Sequence, residues 1–253
     1  TTAIGTRTES TVGGAISLGF EEKSKALDAI AIGSRTAINN EYAQGSIAIG
    51  NQAGTQGWRD YNKDDRYKQL SIDKNIDYAQ RDTIALGTNA YVYGHDSIAI
   101  GTRAQAVFNN SADGSSANNL KSGAVAIGYQ TIAQGDQAVA LGSHAEARNR
   151  QAVAIGNDSF SSGTGAIVIG GDDSAPNGAT ALYPVTWGYV EGPDGGKYRQ
   201  SVATGNGAVV VGVHSQALSQ GSTAVGLAAT AGDNGEIKTT ANITKPTAAI
   251  EAT

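Results

Sequence analysis

The residues best suited to binding a partner lie in two long insertions rich in aromatic and charged side chains. Aromatic and arginine side chains on loops over a rigid scaffold often dominate protein recognition. The candidate ligand-binding residues are Trp58, Arg59, Tyr61, Arg66, Tyr67, Tyr183, Trp187 and Tyr189. A second interpretation, which we favour for each loop, is that these segments fold back across a neighbouring subunit and cap the scaffold.

The chain offers little that could perform catalysis or hold a metal. It has no cysteine and three histidines, His95, His144 and His214, none of which follows a nucleophile or metal-ligand spacing. We therefore predict that the protein is not an enzyme, with no catalytic residue, no metal and no cofactor. The net charge of -5 and the pI near 5.2 argue against nucleic-acid binding, because no basic field attracts phosphates.

A short repeat organises the elements that carry these loops. Twelve blocks alternate small and aliphatic residues and end in glycine, and seven of the eleven intervals between these closing glycines are 14 residues long. The other four intervals exceed 14 by 3, 23, 13 and 28 residues. The closing glycines are Gly5, Gly19, Gly33, Gly50, Gly87, Gly101, Gly128, Gly142, Gly156, Gly170, Gly212 and Gly226.

Alternation with β-branched residues is typical of strands, and glycine permits a sharp turn after each one. The third residue after the closing glycine is Ala, Ser or Thr in ten of twelve repeats, with Glu22 and Asp173 as exceptions. The fifth residue is small in ten, with Ile38 and Val92 as the larger exceptions. We predict an all-β parallel solenoid of about twelve 14-residue coils, with two strands per coil and a narrow interior of small side chains.

The larger aliphatic side chains then point outward and form an exposed sheet. A soluble monomer rarely tolerates so long an apolar stripe, and a second copy of the same surface is the simplest cover. We therefore predict a homo-oligomer. Its predicted interface includes Ile30, Ile32, Ile47, Ile49, Ile98, Ile100, Val153 and Ile155.

A polar column lies at the second residue after each closing glycine. Arg7, Glu21 and Arg35 alternate in sign along it, and adjacent coils would place them about 4.8 Å apart. A ligand could lie along this column, but we favour a solvated surface ladder.

The repeats resemble the head repeats of the trimeric autotransporter adhesins, the YadA-like head. The resemblance rests on segments such as AIAIGSRTAI, SIAIGNQAGT, AVAIGYQTIAQGDQ and AVALGSHAEARNRQ, and it runs from about residue 2 to residue 232. It implies a left-handed β-roll, a homotrimer, and display at the outer membrane of a Gram-negative bacterium. Membrane anchoring is expected only through a C-terminal region outside this chain.

The resemblance implies a non-catalytic head that binds host matrix proteins (collagen, fibronectin or laminin) or a host receptor. Two alternatives remain: a structural spacer without a ligand, and a carbohydrate-processing β-solenoid enzyme, which would need a carboxylate cluster beside a groove. We assign residues 1–232 to the head, with insertions at about 51–82, 105–123 and 171–205, and residues 233–253 to a C-terminal extension.

Overall fold

The computed structural model describes residues 1–38, 43–55, 82–107, 123–171, 190–191, 197–198, 200–227 and 229–232. Within them the chain is all-β, with two parallel sheets of twelve strands each. Each coil contributes one strand to each sheet, so the chain winds through twelve rungs and about eleven turns. The predicted parallel β-solenoid is confirmed.

The first sheet carries the alternating blocks that precede the closing glycines. Its strands are β1 (Thr2–Thr6), β3 (Ile16–Phe20), β5 (Ile30–Ser34), β7 (Ile47–Asn51), β9 (Ile84–Leu86), β11 (Ile98–Ile100), β13 (Val125–Ile127), β15 (Val139–Leu141), β17 (Val153–Ile155), β19 (Ile167–Ile169), β23 (Val209–Val211) and β25 (Thr223–Val225).

The second sheet carries the shorter strands that follow each glycine. They are β2 (Glu9–Ser10), β4 (Lys23–Ser24), β6 (Ala37–Ile38), β8 (Gly54–Thr55), β10 (Tyr91–Tyr93), β12 (Gln105–Val107), β14 (Ile132–Gln134), β16 (Glu146–Ala147), β18 (Phe160–Ser161), β22 (Val202–Ala203), β24 (Gln216–Ala217) and β26 (Thr230–Ala231). A separate antiparallel hairpin joins β20 (Val190–Glu191) to β21 (Lys197–Tyr198).

The register between coils is kept across the insertions. Val139 pairs with Val153, one repeat later, while Ile167 pairs with Val209 across the longest interval. Equivalent residues therefore stack in columns along the whole solenoid, whatever the length of chain between two coils.

The core is a narrow column of small side chains between the two sheets. Ala31, Ala48, Ala99 and Ala154 of the first sheet are fully buried, as are Ala106, Ala133 and Ala147 of the second. Where a larger side chain enters a coil, its counterpart is small: Ile38 lies in the coil of Ala31, and Val210 in the coil of Ala217. The interior thus accepts one branched side chain in such a coil.

Glycine closes each coil because neighbouring backbones approach too closely for a side chain. Gly87 has a φ of +129°, and a Cβ there would lie 2.7 Å from the carbonyl oxygen of Gly101 in the next coil. Real Cβ contacts are not this short, so the glycine column is a steric requirement of the stacking.

Candidate functional site

The most extensive candidate binding surface is the outer side of the first sheet, which we call the apolar face. It consists of the first and third residues of the strand blocks, such as Ile98 and Ile100 of β11. Leu18 and Leu86 are each 40% exposed, and Ile169 is 45% exposed. The same side chains would be hidden if another surface covered this sheet.

The residues predicted for the trimer interface all lie on the apolar face. Each is half-buried in the single chain, because its equivalents in the coils before and after it shield part of its surface. The alanine between the two members of each pair points inward and is fully buried. These residues are Ile30, Ile32, Ile47, Ile49, Ile98, Ile100, Val153 and Ile155. Their role in a trimer stays a prediction.

The polar column predicted at the second residue after each closing glycine lies at a tight corner of the coil. The residues of this corner have left-handed backbone conformations, with φ from 50° to 60°. Sequence periodicity treats the position as an extended residue pointing outward, and it therefore misses this turn. The corner residues are Arg7, Glu21, Arg35, Gln52, Asn89, Arg103, Gln130, His144, Asp158 and His214.

At the N-terminal end the corner column forms the predicted ladder of alternating charge. Arg7 Nη1 lies 2.7 Å from Glu21 Oε1, and Arg35 Nε lies 3.0 Å from Glu21 Oε2. Hydrogen bonds from Arg7 first, and then from Arg35, lower the pKa of Glu21 below its ordinary value. The ladder is solvent-exposed, so it contributes little to stability and is screened by salt.

Further along, the column is not uniformly solvated. His144 Nε2 lies 2.6 Å from Gln130 Oε1, and its Nδ1 lies 3.0 Å from Ser143 Oγ. The ring of Tyr129 meets that of His144 edge to face, with centroids 5.3 Å apart. Gln130 and His214 are only 6% and 5% exposed, which contradicts a fully solvated ladder at these coils.

The candidate ligand-binding residues Trp58, Arg59, Tyr61, Arg66, Tyr67, Tyr183, Trp187 and Tyr189 lie outside the described residues. Neither the binding interpretation nor the capping interpretation of their loops is therefore tested.

The described part of the chain contains no group of three or more His, Cys, Asp or Glu residues that could hold a metal ion. His95 Nδ1 lies 3.6 Å from the neighbouring Asp96 carboxylate, which is an isolated pair on the surface turn of one coil. Nor does any helix in this part have the length and apolar character that a membrane crossing requires.

The structure also reveals polar contacts inside the coils that the repeat pattern does not predict. Thr36 Oγ1 donates to the carbonyl oxygen of Gly50 at 2.8 Å, and Thr131 Oγ1 donates to that of Gly142 at 2.5 Å. The hydroxyl column at the third residue after the glycine thus satisfies glycine carbonyls of the next coil. The only sequence indication of this role is the restriction of the position to small or hydroxylated residues.

Two stacked parallel sheets, an alanine interior and one apolar outer face define a parallel β-solenoid of the β-roll class. Four stretches of the chain, residues 81–104, 121–145, 147–172 and 201–234, match the YadA head domain repeat. The chain therefore carries YadA head repeats, and its resemblance to the head of a trimeric autotransporter adhesin is confirmed. The coils of β1 to β8 precede the matched stretches but continue the same ladder. No curated protein matches the chain.

Proposed function

We propose that this chain is the head of a homotrimeric surface adhesin that binds without catalysis. The observation that carries the proposal is the continuous apolar face of a roll bearing YadA head repeats. The roll has an interior of alanine and other small side chains, so it cannot hide its own isoleucines, leucines and valines. Each such side chain gains about 1.5–3 kcal/mol from full burial, and three copies facing one axis provide that cover.

The proposed ligand is a host extracellular matrix protein (collagen, fibronectin or laminin) or a host receptor, contacted by the inserted loops. Three copies of each loop on one rigid head raise the apparent affinity of a weak site by effective concentration. The head would project from the outer membrane of a Gram-negative bacterium, with its anchor in a different region of the protein.

The trimer is tested by sedimentation equilibrium on the purified chain. We expect a mass of three chains for the wild type and a smaller mass for the double variant Ile100→Glu with Ile155→Glu, because charges on the apolar face oppose its burial. The matched control is Gln105→Glu, which places the same side chain on the second sheet of the Ile100 coil. A wild-type protein that is monomeric and folded in dilute buffer contradicts the proposal.

Binding is tested by presenting the trimeric head to immobilised collagen, fibronectin and laminin and to host cells. We expect one of these to retain the wild type, and deletion of residues 58–82 to abolish retention while leaving the trimer intact. Retention that survives this deletion assigns an architectural role to that loop. A trimer that binds none of these surfaces favours the spacer function.

A further inference from the structure

A fully buried glutamate lies inside the second coil. Glu22 is 0% exposed, and it occupies the third position after the closing glycine, where other coils carry threonine, serine or alanine. Ser17 and Ser24 of the same coil are also fully buried, so this coil has a more polar interior than its alanine-filled successors.

The carboxyl group takes the place of the hydroxyl group found in other coils. Glu22 Oε1 lies 3.2 Å from the point where a Cβ would stand on Gly19, its closing glycine. Thr36 Oγ1 lies 2.9 Å from the same point on Gly33, and Ser215 Oγ lies 3.1 Å from that on Gly212. The three oxygens are therefore equivalent in position.

In these other coils the oxygen is a hydrogen-bond donor to the glycine carbonyl of the following coil. Thr36 donates to Gly50 at 2.8 Å, and Ser215 donates to Gly226. The corresponding acceptor for Glu22 is the carbonyl oxygen of Gly33. An ionised carboxylate has no proton to donate and would face that carbonyl dipole, whereas a carboxylic acid can donate.

The remaining contacts of Glu22 do not balance a buried negative charge. Its Oε1 accepts the backbone N–H of Thr36 at 3.3 Å, while its Oε2 has no hydrogen-bond partner among the residues that the structure describes. An ionised carboxylate in a low-dielectric interior requires a cation or several donors, and a neutral acid does not.

We propose that Glu22 is a protonated clamp that holds the N-terminal coils together at acidic pH and releases them as it ionises. Its acid O–H joins the second coil to the third through Gly33, as the hydroxyls of Thr36 and Ser215 join later coils. Ionisation removes this bond and leaves a charge inside the roll, so local opening of the first three coils becomes easier.

The charged groups around this site lie on the surface and do not replace the proton. In the described parts of the first three coils they are Arg7, Glu9, Glu21, Lys23, Lys25, Asp28 and Arg35, and none is buried. Arg7 and Arg35 are both paired with Glu21. Burial raises the pKa of Glu22, and the hydrogen bonds from Thr36 oppose this with a smaller effect.

The sign of the pH dependence follows from that direction. A carboxyl group whose pKa is higher in the folded state stabilises the fold fully below its unfolded pKa. That stability is lost as the pH rises through the folded pKa. Glu21 has the opposite sign, because its lowered pKa stabilises the fold above the ordinary glutamate value.

The test is amide hydrogen exchange of the complete chain between about pH 4 and about pH 8, corrected for the intrinsic rate of each amide. In the wild type we expect local opening of residues 2–24 to increase by up to about tenfold per pH unit between the two pKa values of Glu22. Residues 209–225 serve as the internal reference. In Glu22→Gln, which keeps a donor but cannot ionise, this increase should disappear.

The matched control is Glu9→Gln, which removes a carboxylate from the outer surface of the neighbouring coil and should leave the wild-type profile unchanged. If Glu22→Gln does not fold, Glu22→Thr restores the residue of the column and should give the same flat profile. The proposal is wrong if the wild type and the Glu22 variant respond to pH in parallel. It is also wrong if carboxyl NMR titration finds Glu22 ionising at the ordinary value for glutamate.

Discussion

At the scale of single residues, the fold depends on atoms that are absent. The closing glycines have no Cβ, and the next coil's carbonyl occupies the space where one would stand. A second corner of the coil is more permissive: Asp96, Gln137 and Gln151 take left-handed conformations there in the same way as Gly165. The two kinds of turn therefore differ in what they tolerate.

Gly87→Ala is expected to destabilise the roll severely. The strained backbone alone costs about 1–3 kcal/mol, and the clash with Gly101 adds to this. The measurement is urea unfolding followed by circular dichroism. Gly165→Gln is the matched control, because its corner is open and other coils carry glutamine there; equal losses for the two variants would contradict the steric account.

At the scale of the elements, each coil is a two-strand sandwich with room for little more than alanine. Val210 of β23 and Ala217 of β24 belong to one buried cluster, and their volumes complement each other. In the third coil the assignment is reversed, with Ile38 on the second sheet and Ala31 on the first. The constraint acts on the sum of the two side chains.

Exchanging the two side chains should therefore cost less than the two single changes together. Val210→Ala leaves a cavity worth roughly 2–3 kcal/mol, and Ala217→Val overpacks the coil by about 1–3 kcal/mol. In the double variant the new methyl groups fill the vacated space, and we expect a favourable coupling of about 1 kcal/mol or more in thermal unfolding. Val210→Ala with Ala140→Val, three coils away, should be additive; additivity in both pairs would refute the volume argument.

Much of this architecture could be predicted from the sequence because alternation and a fixed interval encode it directly. The inward alanines and outward isoleucines follow from strand periodicity. The left-handed corners were missed, because Arg35 and His144 are not typical turn residues. The burial of Gln130 and Glu22 was missed as well, since it depends on three-dimensional neighbours that a repeat pattern does not specify.

At the scale of the whole molecule, the roll is a stack in which pairing joins only adjacent coils. β15 pairs with β13 on one side and with β17 on the other, and the ladder resumes in register after each long interval. Stability is then close to a sum over coils and their interfaces.

Deleting residues 139–152, the 14 residues that separate Val139 from its partner Val153, should leave a folded protein shorter by one coil. Every column is rejoined with its own residue type, so we expect a melting temperature within a few degrees of the wild type. Deleting residues 139–151 is the matched control. It is one residue shorter and turns the following strand inside out, so it should unfold. Similar melting curves for both deletions would contradict the column register.

The unbroken register also bears on how such a molecule changes over generations. Misaligned recombination between two repeats in the gene gains or loses whole units of fourteen codons, and the product is already a self-consistent fold. The reach of the head is therefore an inheritable length that selection can adjust in single steps, without waiting for compensating substitutions elsewhere.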